Sequence, residues 1–352
     1  MSTDSTAGLV THAGFRDARS IRTLRLGIGI TLAAGVALGI GWPLSFLTAV
    51  LATSLLASNA PCPSLRAGAM LVIAIAAAAL FGLVVVAPLA IHYPLVCAVA
   101  VGLFLFLIFR ASYGGASPFL ILWLLIAVLL LPMVAQQSLA MAQTVAEGMV
   151  LGGAAAVGFT WIAHTLVPGP AGAETATAPQ KPADADTAQR DARATVTTCV
   201  VYPVALLFYS FGLTSDLLIL VFIAILAQQP SLTAGRKAGG ALVLGNLAGG
   251  LAAMLFYQLL VAAPTLGFFL ALTALTTLLI GTRIFSDRPE APVYATVLST
   301  VLLLAGGSIA PFGDDVGAKF TLRIVQILIA VLYVVGALTL IDRIRSEHEP
   351  AA

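Results

Sequence analysis

The chain has 352 residues, of which 60% are hydrophobic and only 9% charged, with a net charge of +2. Soluble domains carry about a quarter charged residues, so this balance excludes an ordinary soluble protein and, outside short tails, a disordered one. Apolar runs near 20 residues match a helix crossing a bilayer, whereas the alternating ten-residue segments of a membrane β-barrel are not visible.

In chain order, a polar tail over 1–20 has no apolar core of a signal peptide. The first six apolar spans are read at 24–41, 43–59, 67–87, 94–110, 118–134 and 144–165. A polar, Ala/Pro/Thr-rich linker covers 168–189 and reads as disordered. The second six are read at 194–211, 214–229, 238–260, 264–282, 292–309 and 320–341, and a short tail covers 345–352. Glycine and proline punctuate the joins, as in Gly41-Trp42-Pro43 and Tyr93-Pro94, and Pro203 is expected to kink the seventh span. The fold expected is an all-α polytopic membrane protein with about 12 transmembrane helices.

With the N-terminus in the cytoplasm, 15 of the 17 basic residues fall on the cytoplasmic side. The positive-inside rule therefore places both termini inside. The halves share landmarks in order. Arg22 and Arg25 match Arg190 and Arg193 at an offset of 168, Pro63-Ser64-Leu65 match Pro230-Ser231-Leu232 at 167, and Arg110 matches Arg283 at 173. This predicts two parallel six-helix repeats, 21–167 and 190–344, about a pseudo-two-fold along the membrane normal.

Several residues are candidates for chemistry. The second-to-third span junctions carry Asn59, Pro61, Pro63 and Arg66 in one half, and Gln228, Gln229, Pro230 and Arg236 in the other. Proline breaks free backbone groups for a ligand or water, and paired interruptions point to a transport site; cytoplasmic turns with basic anchors give the same pattern. Arg22 with Arg25, and Arg190 with Arg193, share a helix face three residues apart and could collect a carboxylate or simply orient the chain. Glu147 and Arg323 lie inside the sixth and twelfth spans near the outer face, as an ion pair, a proton-linked carboxylate or snorkelling side chains. Asn246 lies mid-span, lining a pore or bonding a neighbouring helix, and Gly245 and Gly249 are spaced for close packing.

The three cysteines are far apart and the four histidines scattered, so no metal site is expected. No phosphate-binding glycine loop or hydrolase signature appears, which argues against an enzyme, a bound cofactor or ATP hydrolysis by this chain. Nothing resembles a nucleic-acid-binding stripe.

The repeated R-x-x-R, six spans and Pro-Ser-Leu junction followed by a base resemble the fusaric acid resistance protein family, which includes inner-membrane components of aromatic carboxylic acid exporters. The resemblance covers most of residues 20–345. It implies a multi-pass inner-membrane secondary transporter exporting small organic anions, with aromatic carboxylates leading. It also implies a periplasmic membrane-fusion adaptor as partner. Larger members carry a substantial cytoplasmic domain that is absent here. A homo-oligomer in the lipid bilayer fits the same picture. The rival readings are a passive anion channel and a non-transporting membrane scaffold. Arg22, Arg25, Arg66, Arg193, Arg236 and the Gln228-Gln229-Pro230 junction are the positions that carry over.

Overall fold

The computed structural model describes residues 4–42, 44–58, 61–169, 187–211, 217–228, 232–309, 329–337 and 339–340. Among them every regular element is helical, as the apolar runs require, because a backbone in lipid must satisfy its own hydrogen bonds. The elements of the first half are α1 (Asp4–Ile40), α2 (Leu47–Leu56), α3 (Leu65–Phe81), α4 (Ala87–His92), α5 (Pro94–Tyr113), α6 (Pro118–Leu125), α7 (Leu131–Gln137) and α8 (Leu139–Leu166). Those of the second are α9 (Thr187–Phe211), α10 (Leu217–Ala227), α11 (Leu232–Ala262), α12 (Leu266–Ile284), α13 (Ala291–Ile309) and a stretch over 329–337, called α14. Among the described residues eight helices are long and apolar enough to cross a membrane: one each in α1, α5, α8, α9, α11 and α12, and the composite spans Leu65–His92 and Pro118–Gln137. The protein is an all-α polytopic membrane protein.

Local chemistry sets the ends. Pro94 and Pro118 open α5 and α6, where the missing N–H costs nothing. Ser64 and Ser138 accept from the backbone N–H of Ala67 and Met141 at 3.2 and 3.3 Å, and Thr265 from Phe268 at 3.2 Å, capping α3, α8 and α12. Two spans contain a π-helical stretch, Gly82–Val86 and Ile126–Leu130. Each ends two residues before a proline, Pro88 or Pro132. A proline inside a helix lacks a donor and clashes with the carbonyl four residues back, and a wider turn relieves both.

Several boundaries differ from the sequence reading. α1 is helical from Asp4, so helix extends into the segment read as a polar tail. α2 has 10 residues instead of the seventeen expected, because Gly41 (φ 72°) and Leu44 (φ 57°) adopt left-handed conformations that interrupt the chain before it. At 1.5 Å per residue α2 is about 15 Å long, half a bilayer core. Pro88 lies inside a composite span, not at its end. Pro203 sits inside α9, which is helical without interruption from Thr187 to Phe211. Residues 170–186 of the linker lie outside the described residues.

The chain forms two compact units. Unit 1 comprises Met1–Ala69, Leu151–Thr177 and Gly245–Phe320. Within it α1 packs on α2, α2 on α13, α13 on α12 and α12 back on α1, a closed ring of four. The α1–α12 contact is antiparallel and uses missing side chains. A Cβ at Gly27 would stand 2.7 Å from Leu278, one at Gly35 2.8 Å from Leu270, and one at Gly281 3.1 Å from Thr23. Small residues let helices approach in lipid, where association depends on van der Waals contact.

Unit 2 comprises Met70–Val150, Ala178–Leu244 and Thr321–Ala352. Here α9 packs on α10, α10 on the α6–α7 span, that span on α5, and α5 on α9. This is again a ring of four, made from the segments that the sequence landmarks match to those of unit 1. Its core is apolar, around Leu105, Phe109, Leu125, Leu129, Val201 and Leu220.

Candidate functional site

A polar group in unit 2 forms where α5 and α10 end and α9 begins. The last turn of α5 supplies Arg110, Ser112 and Tyr113; the first turns of α9 supply Arg190, Asp191, Arg193 and Thr197; Gln228 follows α10. Spacing on α9 explains the grouping, since residues three and four apart share a face. Arg110 Nε lies 2.6 Å from Asp191 Oδ1. Ser112 Oγ donates to Gln228 Oε1 at 2.7 Å, and Gln228 Nε2 donates to the Ala224 carbonyl at 2.9 Å.

The Thr197 hydroxyl lies 3.0 Å from the Arg193 carbonyl and 3.4 Å from that of Ala227, so its single proton is given to backbone. It therefore accepts from the Tyr113 hydroxyl, 2.7 Å away. The exposed Arg193 places its charge near that phenol. Arg190 Nε is buried with no partner among the described residues. With the hydroxyl protons of Ser112, Tyr113 and Thr197 already given within the protein, the guanidinium groups are the donors suited to a carboxylate.

Unit 1 carries a smaller polar set of its own. Arg19 of α1 pairs with Asp287, just beyond α12. Arg25, only 7% exposed, donates from Nε and Nη2 to the Val167 carbonyl at 3.2 and 3.1 Å. That carbonyl lies at the end of α8, so Arg25 neutralises a helix C-terminus. Trp161 Nε1 donates to the Pro63 carbonyl at 2.8 Å, fixing the proline junction to α8. Arg66 is exposed in the first turn of α3, and Arg22 is half-buried on α1.

Of the residues singled out in the sequence, Gln228 and Arg193 lie in unit 2, and Arg22, Arg25 and Arg66 in unit 1. Asn246, 1% exposed, accepts from Thr300 Oγ1 at 3.0 Å, joining α11 to α13. Of its two sequence readings this is the helix–helix hydrogen bond. Beside it, Gly245 and Gly249 face Thr296 and Thr300, so this glycine pair does pack closely. Glu147 is exposed and, because α8 begins at Leu139, stands two turns into its helix rather than one. Asn59, Gln229 and Arg323 and the side chain of Arg236 lie outside the described residues.

The sequence reading missed Ser112, Tyr113, Asp191 and Thr197 as site residues. Asp191 was the available signal: it is an acidic residue between Arg190 and Arg193, in a chain with few charges. Among the described residues no group of three His, Cys, Asp or Glu could hold a metal ion.

Residues 22–163 match a family described as a protein of unknown function (DUF2955). The match falls within the part of the chain that precedes the polar linker. No curated protein and no solved structure matches the chain.

Proposed function

We propose that the protein is an inner-membrane secondary transporter that exports small organic anions, with aromatic carboxylates as the leading class. The observation that carries this reading is the convergence of Arg190, Arg193, Tyr113, Ser112, Thr197 and Gln228 at one end of unit 2. Positive-inside charge puts that end in the cytoplasm. The resemblance to the fusaric acid resistance family supports the substrate class, the inner membrane and a periplasmic adaptor.

In this reading Arg190 and Arg193 attract and bind the carboxylate, and the second Nε2 proton of Gln228 is the amide donor beside it, the Tyr113 and Thr197 hydroxyl protons being already given within the protein. Arg66 and Arg236, which follow the two Pro-Ser-Leu stretches of the sequence, add to the cytoplasmic positive charge by the positive-inside rule. The chain performs no covalent chemistry, and the proton gradient or the membrane potential supplies the driving force. Glu147 is the carboxylate available for proton coupling.

The test is flux of labelled hydroxybenzoate into proteoliposomes, with and without an imposed pH gradient. Gradient-driven flux is expected for the parent chain. An Arg190→Gln/Arg193→Gln variant is expected to lose about tenfold or more, the equivalent of one charge-assisted hydrogen bond. Unchanged flux in that variant overturns the site. Gradient-independent flux, indifferent to Glu147→Gln, identifies a passive channel instead.

A further inference from the structure

Two short helices of unit 2, α4 and α7, are set off from the chain in the same way at both ends. Each follows a π-helical stretch, Gly82–Val86 or Ile126–Leu130. Each is followed by one non-helical residue, Tyr93 (φ −136°, ψ 66°) before α5 and Ser138 (φ −157°, ψ 117°) before α8. We propose that α4 and α7 move as one body about the two π-helical stretches and form the outward gate of the transport path. The gating role rests on the transporter reading and on positive-inside charge, with Arg66 and Arg110 at the opposite ends of the spans. The motion rests on neither.

Three observations carry it. The π-helical stretches are weak points of the backbone ladder. Ala87 and Leu131 give their N–H groups to the carbonyls five residues back, of Gly82 and Ile126, and Pro88 and Pro132 have none to give. The carbonyls of Leu83 and Ala127 therefore have no donor four or five residues on in their own spans.

The two weak points also lie side by side. The spans run parallel here: Gly82 faces Ala127 and Leu131, Ala87 shares a small core with Ala135, and Gln136 Nε2 donates to the Ala90 carbonyl at 3.3 Å. A Cβ at Gly82 would stand 2.9 Å from the Ala127 carbonyl, so the stretches meet backbone to backbone. Adjacent bends share one axis, whereas bends at different depths would pull the pair apart. Finally, α4 and α7 meet α8 through Ala87, Ala135 and Ala142, which have no rotamers to interlock. Ala90 and Met133 are contacts with the main core of unit 2 that the movement has to loosen.

The test measures distances between spin labels on the full chain in detergent, with Cys62, Cys97 and Cys199 replaced by Ala. Ile91→Cys with Gln137→Cys reports within the pair. Either one with Leu103→Cys on α5 reports across the hinge, and Ile73→Cys with Leu103→Cys reports on the near side of it. A tilt of about 20° moves the end of a helix about 10 Å long by about 3–4 Å. Each pair across the hinge is expected to show two distances differing by that amount, and the other two pairs one each. Pro88→Ala/Pro132→Ala, which restores the missing donors, is expected to leave one distance throughout. A single distance in every pair of the parent, with and without hydroxybenzoate, overturns the proposal. So does a second distance between Ile91→Cys and Gln137→Cys.

Hydrogen exchange on the unsubstituted chain is the second readout. Amides of 84–92 and 128–137 are expected to exchange about tenfold faster than those of 66–81 and 119–125, and equal protection overturns the hinge. In proteoliposomes Pro88→Ala/Pro132→Ala is expected to lose about tenfold in hydroxybenzoate flux with its unfolding midpoint kept. Full flux in that variant overturns the gate. Two distances in a parent chain without any flux support the hinge and overturn the transporter reading.

Discussion

Units 1 and 2 pair helices that the sequence landmarks match to one another, and yet are held together by different chemistry. The buried polar residues Thr23, Arg25, Ser45, Thr48, Thr53, Thr160, Asn246, Thr273, Thr277 and Thr300 all belong to unit 1; among the described residues, unit 2 has Thr197. At the landmark offset of 167, Thr53 of α2 corresponds to Leu220 of α10, and both are buried. Unit 2 replaces interior hydroxyls with apolar packing and sets tyrosines at its margins, where Tyr202, Tyr209 and Tyr333 donate to Ala98, Cys97 and Val200.

One feature is shared. Gly82 and Gly249, also 167 apart, each stand where a Cβ would lie 2.9 and 2.8 Å from a backbone carbonyl, of Ala127 and of Val297. Close backbone approach is therefore common to both units, whereas the filling of the interior is free to diverge. The lesson is that helix pairing tolerates a change of side-chain chemistry wherever the backbone separation is kept.

The strongest way to break this comparison is to fill the shared gap. Gly82→Val and Gly249→Val are each expected to destabilise by about 3 kcal/mol, because a carbonyl of a packed helix cannot move aside as a side-chain tip can. Thermal unfolding in detergent reads this, and sensitivity at only one site would end the equivalence. Next in size is Arg25→Gln, which removes the fork onto the Val167 carbonyl and is expected to cost about 2 kcal/mol. The exposed Arg193→Gln, read by the same melt, is expected to stay within about 0.5 kcal/mol. A large loss there would mean that the unit 2 arginines are structural and would weaken their assignment to an anion.

Thr300→Val in unit 1 and Tyr209→Phe in unit 2 sharpen the contrast between interior and marginal hydrogen bonds. Each is expected to cost about 0.6 kcal/mol, the usual worth of an interhelical hydrogen bond in a membrane protein. Equilibrium unfolding of both variants in one detergent measures the pair, and a cost several times larger for Thr300→Val would show that Asn246 depends on it. The smallest effects belong to the ion pairs. Double-mutant cycles on Arg19–Asp287 and Arg110–Asp191 are expected to give couplings below about 0.5 kcal/mol that vanish in high salt, because both pairs are open to solvent.

Composition and run length by themselves determined that the chain is a helical membrane protein, because a bilayer admits so few backbone solutions. The positions of α5, α12 and α13 followed within a few residues from the apolar runs and their glycine and proline punctuation, whereas α8 begins at Leu139, five residues before the span read at 144–165. The short α2 was not legible, since the left-handed turn at Leu44 has no sequence signature in a β-allowed residue type. Helix from Asp4 was hidden for the opposite reason: polarity reports exposure and not backbone conformation.

The site divided along the same line. Arg193 and Gln228 stood out as polar groups at apolar boundaries, but their neighbours Tyr113, Ser112 and Thr197 are common residues that gain meaning only by meeting. Arg25 looked like a free cation in sequence, and the tertiary structure gave it a carbonyl 142 positions away. Local chemistry determined where helices begin and what each face can offer. Which faces meet depends on packing between residues far apart in the chain, and that was decided only when α1 met α12 and α5 met α9.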